Sequence, residues 1–168
     1  MKLIVTMFAV VLTLACLLLL GAKIYQSVQF DRNCGGHLKR AADANTIELA
    51  RQELEIAVLY LEREKMTNGY TSVIYNTPDE DVGFWYGNLR ASLYELSQVK
   101  SDSSSLEKSN MLIKLRETLL DGGQQGESIT APQGISIFPN NAAFCWSTLF
   151  SAILAVVFWA VLFIADPD

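Results

Sequence analysis

The sequence predicts an all-α membrane protein, in which two transmembrane helices flank a small extracytoplasmic three-helix bundle. Three observations lead to this fold class. The stretch from Ala142 to Ala165 has no charged side chain, the stretch from Leu3 to Leu20 has none either, and the polar segment between them follows a helical repeat. A helix of about 20 apolar residues spans the roughly 30 Å hydrocarbon core of a bilayer and satisfies its own backbone polar groups there.

Composition limits the partners of the chain. Its 168 residues carry a formal net charge of −5, and the longest basic run is the Lys39-Arg40 pair, so we expect no nucleic acid partner. Cys16 and Cys145 lie in or beside the apolar stretches and Cys34 lies alone in the polar part, which is not a disulfide framework. A bridge between Cys34 and Cys145 stays open, because the predicted topology puts both on one side of the membrane.

Residues 1–29 are predicted to form an uncleaved signal anchor and a short stalk. The apolar run of about 20 residues is longer than the core of about 7 to 15 residues that is typical of cleavable signals. Cleavage after Ala22 is the alternative, and it would place the bulky Leu20 at the third position before the cut. The long polar continuation is typical of an exported segment. We therefore expect a plasma or inner membrane protein whose central domain is extracytoplasmic, either periplasmic or lumenal.

Residues 30–121 are predicted to form the extracytoplasmic helical bundle. Gly35-Gly36 is expected to break or bend the helix that continues from the anchor. A first bundle helix is then expected from about Leu38 to Met66, and Gly69 is predicted to cap its end in the left-handed conformation. The apolar residues that predict this helix recur at three-residue and four-residue steps, and they are Ile47, Ala50, Leu54, Ala57 or Val58, and Leu61.

Two further helices complete the predicted bundle. The stretch from Tyr70 to Asn76 is aromatic and β-branched but has no partner strand, which favours an extended link packed across the helices. Thr77-Pro78 is predicted to begin a second helix that ends near Lys100. Ser104 followed by Glu107 has the spacing of a capping box and predicts the start of a third helix.

The chain is then predicted to return to the membrane. Residues 122–141 are rich in Gly, Gln, Pro and Asn and show no repeat, so we expect a flexible tether. Residues 142–168 are predicted to form the second transmembrane helix and a short tail. Small residues that allow close packing, either between the two spans or with a helix of another protein, are Ala9 and Thr13 in the first span and Ser147, Ser151 and Ala155 in the second.

Two short clusters contain residue types that bind metals or cofactors. Cys34 and His37 form a C-x-x-H pair, which lacks the four ligands of a structural zinc site and the second cysteine of a haem attachment motif. Asp79-Glu80-Asp81 lacks the alternating ligands of a calcium loop, and the helix dipole explains carboxylates in a first helical turn. We therefore expect no metal and no cofactor, and interpret the clusters as a polar turn and a helix start.

Five aromatic residues form the candidate interaction surface. Three of them are consecutive on a predicted helix, where successive side chains point about 100° apart, so the three cannot all enter one core. At least one is expected to be exposed or to lie in an interface. The alternative is that the aromatic residues of the link fold onto the bundle core. The five residues are Tyr70, Tyr75, Phe84, Trp85 and Tyr86.

The functional prediction is a non-catalytic protein that acts as an accessory or structural subunit of a larger membrane protein complex. The sequence has no catalytic motif, and neither apolar stretch contains an ionisable residue of the kind that carriers use. The expected partners are the lipid bilayer and other membrane protein subunits. One alternative is an extracytoplasmic ligand-binding or sensing module, with a pocket near Tyr70, Tyr75 and Trp85. Another is a phage or virus protein that perturbs the bilayer.

Overall fold

The computed structural model is mostly helical and contains two long apolar helices, as the sequence predicts. It describes residues 2–100, 102–123 and 126–164. In chain order the α-helices are α1 (Lys2–Phe30), α2 (Gly36–Ala42), α3 (Ile47–Arg63), α4 (Val82–Gln98), α5 (Ser105–Leu119) and α6 (Asn141–Ile164). The other elements are a π-helical segment (Asp31–Gly35), two 3-10 turns (Pro78–Glu80 and Ile135–Ile137), and the strands β1 (Leu120–Gly123) and β2 (Gly126–Ile129).

Residues 31–138 form a helical head at one end of the pair made by α1 and α6. Within the head, α3 packs against α2, α4 and α5. In addition, α5 packs against α2 and α4. The largest fully buried side chains of the head come from all four helices and include Leu38, Leu54, Leu61, Leu89, Leu96 and Leu119.

The first long helix does not break at Gly35-Gly36, one of the two outcomes that the sequence predicted. It passes through the π-helical segment into α2, and Gly35 has ordinary helical angles of φ −57 and ψ −42. A β-carbon added at Gly35 would lie 3.0 Å from Asp31 Oδ1 and 3.4 Å from Ile129 Cδ1. Gly35 therefore allows the end of β2 to approach the helix closely.

The predicted helix from Leu38 to Met66 is instead two helices. Asp43 ends α2, and Thr46 caps α3 by accepting a hydrogen bond from the backbone N–H of Leu49 at 3.2 Å. The left-handed residue at the end of α3 is Lys65, at φ 59, and not Gly69. The N–H of Met66 bonds to the carbonyl of Leu61 at 2.8 Å, which is the Schellman arrangement.

The second bundle helix begins four residues later than predicted. Pro78–Glu80 forms a 3-10 turn, and the cap of α4 is Asp81, whose Oδ1 accepts from the N–H of Phe84 at 3.0 Å. The hydroxyl of Thr77 donates to Glu80 instead, at 2.7 Å. Ser104 caps α5 as predicted, because its side chain accepts from the N–H of Glu107 at 3.2 Å.

The segment predicted as a tether contains regular structure. β1 and β2 form an antiparallel pair in which Leu120 faces Ile129, and the N–H of Thr130 donates to the carbonyl of Leu119 at 3.0 Å. Ile135 and Ile137 are buried in the following 3-10 turn. Tertiary packing supplies this order, because Ile129 and Phe138 lie against the core of the head.

One end of the head, which we call the near end, adjoins the pair of apolar helices. The rings of Phe30 and Tyr60 lie 6.3 Å apart, and the turn Ile135–Ile137 contacts α1. A β-carbon at Gly69 would lie 3.3 Å from the ring of Phe138, and the Gly69 carbonyl accepts from the N–H of Val82 at 2.9 Å. The link before α4, the start of α4 and the segment before α6 therefore share the near end.

Candidate functional site

An open cleft of about 850 Å³ lies at the near end of the head. One wall is the stretch from Thr77 to Asp81 together with the first turns of α4 as far as Leu89. The other wall is the end of α5, Asp121 of β1, and residues 128–133. The cleft exists because the hairpin folds back from α5 toward the beginning of α4, an approach that no local sequence pattern indicates.

The charged groups of the cleft are all acidic. Its lining includes Asp79, Glu80, Asp81 and Asp121 but no lysine or arginine. In residues 2–100, 102–123 and 126–164, none of these four carboxylates forms an ion pair. The predicted cluster at residues 79–81 is therefore both a helix start and part of a concave surface, to which the hairpin adds Asp121.

The five aromatic residues of the predicted interaction surface divide between the core and the surface. Trp85 is buried in the core, whereas Phe84 is 67% exposed and Tyr75 is 74% exposed. Tyr70 is also exposed and pairs with Asp81 in an isolated β-bridge. Tyr75 therefore does not pack across the helices, contrary to the prediction for the link, and Phe84 and Trp85 point in different directions as the helical repeat requires.

Tyr86 connects α4 to α3 through a side-chain hydrogen bond. Its hydroxyl donates to Glu62 Oε1 at 2.7 Å, and the guanidinium of Arg90 donates to the same oxygen at 2.6 Å. These two donors, Tyr86 first, lower the pKa of the Glu62 carboxyl. Tyr86 therefore has a partner inside the head and contributes less free surface than Phe84.

A buried carboxylate joins α2 to α3, and the sequence interpretation missed it. Glu53 is 3% exposed, its Oε2 lies 2.6 Å from His37 Nδ1, and its Oε1 pairs with Arg40. The sequence signal was available, since Glu53 falls three residues after Ala50 and four before Ala57 on the buried face of α3. His37 is thus a structural partner and not the solvated imidazole of a polar turn.

Cys34 is fully buried. Cys16, Cys34 and Cys145 are all free thiols, so the bridge between Cys34 and Cys145 is not formed. Burial, with a smaller contribution from the charge of Asp31, raises the pKa of the Cys34 thiol from 9.0 to about 12. In the described part of the chain, no group of three or more His, Cys, Asp or Glu residues is arranged to hold a metal ion. Cys34 thus belongs to the core of the head.

The two apolar helices pack on each other in antiparallel orientation. Near the chain termini, the rings of Phe8 and Phe158 stack with centroids 5.8 Å apart, and Trp159 Nε1 donates to Thr13 Oγ1 at 3.2 Å. Of the predicted small residues, Ala9, Ser151 and Ala155 are buried, Thr13 is half-buried and Ser147 is exposed. The four buried or half-buried residues therefore contribute to packing between α1 and α6, whereas Ser147 lies outside this contact.

Comparisons with known protein families, with curated proteins and with solved structures find no match to the chain.

Cys34 gives a prediction about alkaline pH. Because the folded protein keeps the thiol protonated up to about pH 12 and the unfolded chain loses the proton near pH 9.0, stability from this group is complete below pH 9 and declines above it. Between pH 8 and pH 10, the protein should lose roughly 1 kcal/mol more unfolding free energy than its Cys34→Ala variant. Denaturant unfolding of both proteins in detergent measures this difference, and equal losses would contradict the assignment.

The contact between α1 and α6 gives a second prediction. Ala155 is buried against α1 and its neighbour Val156 is 68% exposed. Ala155→Leu should therefore cost about 1–3 kcal/mol through overpacking, whereas Val156→Leu should be close to neutral. Thermal unfolding of both variants in detergent distinguishes them, and equal effects would show that the two helices do not pack through this face.

Proposed function

We propose that α1 and α6 are transmembrane helices. Their most apolar 18-residue windows have mean hydropathies of 3.0 and 2.4, yet only 6% and 11% of the residues in these windows are buried. An apolar helix in the core of a soluble protein would be mostly buried, so both helices need an apolar surrounding that the chain does not provide. Lipid supplies that surrounding along their apolar stretches.

The antiparallel pair supports a hairpin topology, with both ends of the chain on one side of the bilayer and the head on the other. The near end of the head then lies at the headgroups, where Tyr25 and Lys23 suit an interface. We propose that the head is extracytoplasmic, in a plasma or inner membrane, because a charged start followed by an apolar run precedes it. The positive-inside rule does not fix the orientation, since it applies to short loops and the polar part between the two helices is too long.

We further propose that the protein is a non-catalytic accessory or structural subunit of a larger membrane protein complex. The observation that carries this proposal is the uncovered surface at the near end. Phe84 is exposed there and lines the cleft together with four carboxylates that form no ion pair among the described residues. Ile74 and Tyr75 of the link before α4 are exposed as well. Exposed aromatic side chains beside charged groups are typical of surfaces that anchor protein partners.

The second candidate function is a ligand-binding or sensing module. The cleft volume of about 850 Å³ lies within the roughly 300–1,000 Å³ range of small-molecule sites, which favours this reading. The cleft is open and acidic along both walls, however, whereas small-molecule sites are enclosed and mainly apolar. We therefore place partner binding first.

The test of the subunit proposal is purification of the full-length protein from its native membrane in mild detergent, followed by native gel electrophoresis and mass spectrometry. We expect other membrane proteins to co-purify in stoichiometric amounts. A lone monomer or homodimer would contradict the proposal. A thermal shift of several degrees with one member of a metabolite panel would then favour the sensing function.

A further inference from the structure

We infer that the cleft at the near end docks an extended segment of a partner subunit that carries lysine or arginine. This inference rests on the proposed subunit function and adds the chemistry of the partner. Charge, the shape of the walls and the buried indole N–H of Trp85 each contribute to it.

The charge of the cleft selects a cationic occupant. Asp79, Glu80 and Asp81 lie on one wall and Asp121 on the other, with no basic residue between them. A cationic side chain that enters the cleft therefore meets carboxylates from both walls without having to displace an ion pair that the described residues form. Asp79 and Asp121 are exposed, which also makes them available for first encounter with the partner.

The walls favour an extended chain. Residues 128–133 line the cleft without interruption, and the first two of them are the end of β2. Asp121 of β1 and its cross-strand partner Ser128 both line the cleft, so one face of the hairpin forms this wall. An extended peptide advances about 3.3 Å per residue, so a short segment can follow the continuous stretch of residues 128–133.

Trp85 distinguishes a peptide from a simple cation. It lines the cleft, it is 5% exposed, and its indole Nε1 has no hydrogen-bond partner among the residues that the structure describes. An indole N–H only donates, so its partner must supply an acceptor. A peptide carries a carbonyl oxygen at every residue, whereas a metal ion or a polyamine carries none. In the inferred complex, such a carbonyl accepts the hydrogen bond from Nε1.

The rim of the cleft suits lysine and arginine side chains in particular. Phe84 is exposed at the rim, where its ring can cover the aliphatic stem of a basic residue or attract its charge. Because the near end lies at the headgroups in the proposed topology, the docking segment belongs to a membrane partner and lies close to its own span.

The test uses the full-length protein in detergent and a fluorescein-labelled peptide of alternating alanine and lysine, at about 0.15 M salt to screen diffuse attraction. Fluorescence anisotropy gives the affinity for the unaltered protein and for two double variants. Asp79→Asn/Asp121→Asn removes two charges from the cleft. Glu48→Gln/Glu55→Gln removes two charges from exposed positions of α3 and is the matched control.

We expect saturable binding that Asp79→Asn/Asp121→Asn weakens by about fivefold or more and that the control changes by less than about twofold. With Trp146 and Trp159 replaced by phenylalanine, Trp85 is the one remaining tryptophan, and its emission should change on peptide binding. Spermine, used as the comparison cation, should not produce this change.

Three results would overturn the inference. They are absence of saturable binding, equal weakening by both double variants, and spermine binding that matches the peptide in affinity and in tryptophan emission. Circular dichroism of both variants confirms that they are folded. The peptide experiment does not depend on the co-purification from the native membrane. Failure of the docking inference and failure of the proposed subunit function can therefore be distinguished.

Discussion

The apolar surface of α1 and α6 is the constraint on which the rest of the structure depends. Burial of a leucine-sized side chain is worth about 1.5–3 kcal/mol, and the two helices leave many such groups uncovered along most of their length. Their mutual contact, through Ala9, Ser151 and Ala155, covers one face of each. It also fixes the distance between the start of α6 and the end of α1. The segment before α6 must therefore return to α1, which brings Phe138 to Gly69 and places the cleft beside the start of α4.

The head is joined to the first apolar helix without a flexible linker. The helix continues through Asp31–Gly35 into α2, whose Leu38 enters the core of the head. The buried Glu53 then holds α2 to α3 through His37 and Arg40. Removal of one member would leave a buried charge with fewer partners, which is costly, so this group is structural. A partner that binds the cleft would thus act on a head that is rigidly continuous with a membrane span in the proposed topology.

The sequence predicts those features that depend on local pattern and composition. The two apolar helices, the periodic face of α3, the cap at Ser104 and the divergence of Phe84 and Trp85 all follow from neighbouring residues. The features it does not predict depend on contacts between distant residues. Ile129 packs close to the helix at Gly35, and the order of residues 126–138 comes from packing on the core. Asp121 joins the acidic cleft for the same reason. Glu53 was predictable, since a charged residue on an apolar helix face calls for a buried partner.

In the proposed topology, the two apolar helices cross the bilayer as an antiparallel pair and leave the head on one side. The decisive experiment labels single cysteines with a membrane-impermeant maleimide in sealed, oriented vesicles, in a protein with Cys16 and Cys145 replaced by serine and the buried Cys34 replaced by alanine. The two positions are Gln52→Cys on the exposed side of α3 and Lys2→Cys at the start of α1. We expect Gln52→Cys to be labelled in the intact vesicles and Lys2→Cys only after they are permeabilised, or the reverse for the opposite orientation. Labelling of both cysteines from the same side would contradict it.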